Sequence, residues 1–98
     1  MTKQEHLFVK LMEECAEVQH RTSKLLQFGA EECEPGQHVS NRRRLLLEVM
    51  DLLTIIGMLQ QAGFLPNYTE ELCEHLDAKE RRVKKYLRYS QELGRVEP

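Results

Sequence analysis

The sequence predicts an all-α fold: an antiparallel helical bundle of three long helices, completed by homo-oligomerisation. Three observations predict it. Leucine supplies 15 of the 98 positions while valine and isoleucine together supply 8, a balance that favours helix over sheet. Apolar residues recur at spacings of three and four in three segments, which Gly and Pro separate. Between Leu45 and Leu59, 11 of 15 residues are apolar. A helix apolar all round must be covered all round, and two other helices of one chain are too few to do it.

A chain of 98 residues forms one domain, 1–98, which buries roughly 65% of its unfolded surface. The first helix, about 4–28, carries Leu7, Phe8, Leu11, Cys15, Val18 and Leu25 on one face and stops at Gly29. The acidic stretch from Ala30 to His38, with Pro35 and Gly36, reads as a loop over about 29–40. Ser40 or Asn41 caps the second helix, about 41–62, which Gly63 ends. Pro66 lies in the next turn. Asn67 and Glu70 have capping-box spacing and open the third helix, about 67–93, with a seam of Leu72, Leu76, Val83 and Leu87.

Composition removes several function classes. Fourteen Lys+Arg against 16 Asp+Glu, a net charge of −2, argues against a general polyanion binder and makes nucleic acid an unfavoured partner. Cys15, Cys33 and Cys73 form no CxxC, and His6, His20, His38 and His75 add no spaced ligand set. A disulfide framework and a structural zinc site are both disfavoured. The N-terminus lacks the apolar run of a signal peptide. The apolar stretch 45–59 is too short to span a membrane and holds two carboxylates. The expected setting is therefore cytoplasmic. The phosphate-binding patterns GxxxxGK[ST] and GxGxxG are absent, which disfavours kinase or motor chemistry.

Two carboxylates interrupt the apolar helix. Glu48 and Asp51 stand i, i+3 on one stripe. Burying an uncompensated carboxylate costs several kcal/mol, and two close together repel. Basic side chains, a shared proton or a metal ion are the candidates for compensation. The first helix repeats the device: in Glu13-Glu14-Cys15-Ala16-Glu17, Glu14 and Glu17 have the same i, i+3 spacing, and Glu14 falls inside the apolar stripe. Taken alone, Glu13, Glu14 and Glu17 read as a solvated face with pairs such as Glu17–Arg21. Taken with Glu48 and Asp51, the two pairs bring four carboxylates to one point when the helices pack antiparallel. Four carboxylates without sulfur or paired imidazole suit a hard cation, Mg²⁺ or Mn²⁺.

Glu-Glu-x-x-Glu on one helix followed by Glu-x-x-Asp on the next resembles the MazG-like all-α nucleoside triphosphate pyrophosphohydrolases. Ser23-Lys24-Leu25-Leu26-Gln27-Phe28-Gly29 and Lys84-Lys85-Tyr86-Leu87-Arg88-Tyr89-Ser90 look like the small phage-type members. The likeness covers nearly the whole chain, although the 30 residues from Val18 to Leu47 are slightly long for the family. It implies hydrolysis of a nucleoside triphosphate, NTP or dNTP, between the α and β phosphates. On that reading Glu14, Glu17, Glu48 and Asp51 are the catalytic, Mg²⁺-holding residues. Glu13 is a spare carboxylate, a support to these ligands or an ion-pair partner. The unit is a dimer or tetramer serving nucleotide-pool control or house-cleaning.

Cations for the phosphates come next. Lys24 continues the stripe of Glu17, and Lys79 and Arg82 share a stripe with Tyr86 on the third helix; all three are candidates for gripping phosphate oxygens. The ordinary reading of the third helix's basic run is a solvated face balanced by its own acids. Arg42, Arg43 and Arg44 open the second helix, where cations oppose the helix dipole, and an anion or the acidic loop must offset them. Phe28, His38 and Asn41 lie near the mouth of this site. Two other readings stand beside the enzyme. Glu17-Val18-Gln19-His20 is one Glu-x-x-His, but a di-iron bundle needs two. A non-enzymatic helical interaction or nucleic-acid-binding module would use the basic face of the third helix.

Overall fold

The computed structural model describes all 98 residues, and every element in it is a helix: α1 (Lys3–Phe28), α2 (Asn41–Gln61) and α3 (Glu70–Glu92). The boundaries follow local chemistry. Thr2 caps α1 through a full capping box, its hydroxyl accepting from the Glu5 amide while the Glu5 carboxylate accepts from the Thr2 amide, both at 3.0 Å. Gly29, at φ 97°, takes the chain out of α1 into backbone that a side chain would strain. Ser40 caps α2, accepting from the Arg43 amide at 3.2 Å.

The third helix starts later than its Asn67/Glu70 spacing predicts. Thr69 is the cap, its hydroxyl accepting from the Leu72 amide at 3.3 Å. That choice sets Glu70 and Glu71 together in the first turn, at the positive end of the helix dipole.

By its internal contacts the chain divides into two compact units, Met1–Pro66 and Asn67–Pro98. In the first, α1 packs along α2. Asn41 reaches Gly29 at one end of the pair, Glu14 meets Glu48 and Asp51 in the middle, and Leu7 and Met58 line one cavity at the other end. Leu59 is fully buried, and Leu45, Val49, Leu52, Ile55 and Ile56 are half-buried. The opposite side of α2 stays open: Leu46, Met50 and Leu53 are 56%, 53% and 49% exposed. Within one chain, α2 therefore has one covered face and one bare apolar face.

The second unit is α3 with its tail. After Gly94, at φ 73°, the chain folds back on the helix end. The Arg95 amide donates to the Ser90 carbonyl at 2.9 Å, and the Gln91 side-chain amide donates to the Glu97 carbonyl at 3.0 Å.

Candidate metal centre

Glu14 on α1 and Glu48 and Asp51 on α2 each offer a carboxylate oxygen, and these oxygens lie within 4.8 Å of one another. Helical spacing brings them together. Glu48 and Asp51 sit one turn apart on α2, and Glu14 occupies the α1 stripe that packs against it. Glu14 and Glu48 are half-buried while Asp51 is exposed. The full burial expected for the α2 pair is not reached, because the bare side of α2 lets water to Asp51.

The group is electrostatically uncompensated. The ion pairs of the chain are Lys10–Glu13 at 3.0 Å, Arg21–Glu34 at 3.2 Å, Arg42–Glu31 at 3.0 Å and Lys84–Glu80 at 2.9 Å. None reaches Glu14, Glu48 or Asp51. Loss of hydration raises the Glu14 pKa above its ordinary value, and the charges of Asp51, Glu48, Glu17 and Glu13 push it further in the same direction. Of the three means of compensation open to the sequence, basic side chains do not supply it, since no ion pair reaches the three acids. A shared proton and a bound cation are what remain.

The donor set fits a hard divalent ion. It is all oxygen, without thiolate or imidazole. Opposed ligands of Mg²⁺, each at about 2.1 Å, lie about 4.2 Å apart. A spread of up to 4.8 Å closes with a small turn of one carboxylate.

The other expected residues fall as follows. Glu17 is exposed and outside the group of three, although its charge still bears on Glu14. Glu13 is the ion-pair partner of Lys10. The expected Glu17–Arg21 pair does not form, since Arg21 turns to Glu34 in the acidic loop. Lys24 lies over the Phe28 ring, 5.4 Å from its centroid. Lys79 and Arg82 share with Tyr86 the lining of a cavity of about 490 Å³ in the second unit.

The 29–40 loop makes contacts whose individual partners the sequence did not assign. Its three acids each take a separate partner: Glu31 pairs with Arg42, Glu34 with Arg21, and Glu32 accepts from the Asn41 side-chain amide at 2.7 Å. The same Asn41 amide also donates to the Gly29 carbonyl at 2.9 Å, and Asn41 is 1% exposed. The acidic loop offsets one of the cations at the start of α2, Arg42, through Glu31, and Gln37 accepts a hydrogen bond from Arg44 through its neutral side-chain Oε1 at 3.0 Å. The signal available in the sequence was the density of Glu residues next to Arg42, Arg43 and Arg44.

No helix is long and apolar enough to cross a membrane. Comparison with protein-family models, with curated proteins and with solved structures gives no match.

Proposed function

We propose that this protein is a Mg²⁺-dependent nucleoside triphosphate pyrophosphohydrolase of the MazG-like kind, cytoplasmic, and acting on an NTP or dNTP. One observation carries the reading: three carboxylates from two helices converge with no basic side chain to neutralise them. Structural acid clusters of this kind destabilise a fold unless something binds them. The order of the acids along the chain, Glu-Glu-x-x-Glu then Glu-x-x-Asp, adds the family resemblance.

Glu14, Glu48 and Asp51 hold the cation, with Glu17 at its margin. When bound, Mg²⁺ supplies Lewis acidity, lowering the pKa of a water and neutralising phosphate charge. The carboxylates fix where the triphosphate binds, and one of them can take the proton of the attacking water. One water adds across the α–β anhydride, leaving a monophosphate and pyrophosphate. Lys24, beyond Glu17 on α1, is the candidate cation for phosphate oxygens in this reading. Incubating the purified protein with each NTP and dNTP, with and without Mg²⁺, tests the reading. Mg²⁺-dependent pyrophosphate release from at least one of them is expected, and release from none defeats it.

The bare face of α2 belongs to the same reading. A contiguous stripe of Leu46, Met50 and Leu53 in water is unfavourable by about 25 cal/mol per Å² of apolar surface. In this reading a second copy covers it. Wild-type protein is expected to elute and scatter as a dimer or tetramer. Met50→Glu with Leu53→Glu should shift it towards monomer; a monodisperse wild-type monomer at micromolar concentration would overturn the assembly.

A further inference from the structure

We infer that the cavity formed by the last turn of α1, the acidic loop and the first turn of α2 takes the nucleobase, and that Glu32 and Glu34 select bases carrying an exocyclic amino group. The inference rests on the nucleotide reading above and extends it to the substrate class.

The cavity has a volume of about 370 Å³ and is lined by Lys24, Phe28, Glu32, Glu34, Pro35 and Asn41, within the usual span of about 300–1,000 Å³ for small-molecule sites. Its walls are held in place. Glu32 accepts from the buried Asn41 amide through one oxygen, and Glu34 accepts from Arg21 through one oxygen at 3.2 Å. Each carboxylate keeps a second oxygen that accepts from no group of the protein. Two acceptors fixed by their other halves are preorganised for a donor from a ligand. Phe28 and Pro35 give flat apolar surface on which a planar ring packs, with the Lys24 ammonium on the Phe28 face.

Position agrees with chemistry. Asn41 lies seven residues before Glu48 on α2, about 10 Å along the axis on the same stripe, and Lys24 lies ten residues after Glu14 on α1, about 15 Å. A base in the cavity leaves its sugar and phosphate chain to run down the helix pair to the acids, past Lys24. An ionised carboxylate only accepts hydrogen bonds. Cytosine, adenine and guanine each present an amino donor to it, whereas at the position of cytosine's amino group uracil and thymine carry O4, an acceptor that would oppose its charge.

The test compares dCTP with dUTP, which differ on the base edge alone. Wild-type protein should show kcat/KM at least about 10-fold higher for dCTP, the scale of a lost or opposed hydrogen bond in a site built to make it. In Glu32→Gln/Glu34→Gln the amide both donates and accepts, so the ratio should fall to within about 3-fold. Equal values in the wild type, or a ratio unchanged in a folded variant, would overturn the base assignment while leaving the hydrolase reading intact. Should no nucleotide be hydrolysed, the hydrolase reading fails by itself. The cavity is then read by NMR titration with CMP and UMP: a shift of the Asn41 side-chain amide with CMP alone upholds the assignment, and no shift, or equal shifts with both, ends it.

Discussion

Glu48→Gln and Asp51→Asn should each lower Mg²⁺-dependent pyrophosphate release by about 10³-fold or more, and neither should unfold the protein. The size follows from what is removed. Positioning and charge stabilisation supply nearly all of the catalysis in phosphoryl transfer, and each substitution takes away one anionic oxygen ligand from a set of three. The fold is expected to survive because neither carboxylate holds anything together. Neither has an ion-pair partner, and α2, which packs on α1, has apolar Leu45, Val49, Leu52, Ile55, Ile56 and Leu59 among its covered residues. Removing one of several like charges should leave thermal stability without Mg²⁺ unchanged or slightly higher. Circular dichroism and a thermal melt read the second half of the prediction independently of the assay. A variant that melts markedly earlier than wild type would show that the pair is structural, and the hydrolase reading would lose its main support.

The acids were legible because a helix converts spacing into position. Glu48 and Asp51 stood out against an apolar run, and Glu14 lay inside an apolar stripe of its own, so their meeting required only that two helices pack. The same rule overreached at Glu17. It shares the i, i+3 spacing with Glu14, but a step of three residues also turns about 60° around the axis and rises about 4.5 Å, and on α1 that step leads to solvent. Contacts through irregular backbone were not legible. Arg21 finds Glu34 across 13 positions and Asn41 finds Glu32 across 9, and no periodicity links such pairs. The cap of α3 failed for a related reason. Asn67 and Thr69 both precede an acid-rich turn, and the choice between them rests on backbone geometry that composition does not encode. The exposed side of α2 was foreseen as an excess of apolar residues, and the single chain keeps that excess in view.

Mg²⁺ should stabilise the protein, and by an amount that grows with pH. At a free concentration of about 100 times its Kd, an ion that binds only the folded state adds about 2.7 kcal/mol. For a domain near 100 residues, where 1 kcal/mol moves Tm by about 4–8 °C, that is a rise of roughly 10–20 °C. The pH dependence comes from Glu14, whose pKa lies above its ordinary value of 4.5 through lost hydration and the neighbouring charges of Asp51, Glu48, Glu17 and Glu13. A carboxyl with a raised folded-state pKa binds protons more tightly in the folded than in the unfolded chain. Its contribution to stability is therefore fully present below 4.5 and is lost as pH rises through the raised value. Without Mg²⁺ the melting temperature should fall across that window. With Mg²⁺ the decline should flatten, because the cation favours the ionised form that the neighbours disfavour, and protons compete with the metal at the low end. Glu14→Gln should remove the pH-dependent part and shrink the Mg²⁺ shift. Melts at matched ionic strength in MgCl₂ and NaCl, from pH 4 to 8, separate specific binding from screening. Identical curves in the two salts would leave a shared proton as the only compensation for the three acids, and the metal centre would be discarded.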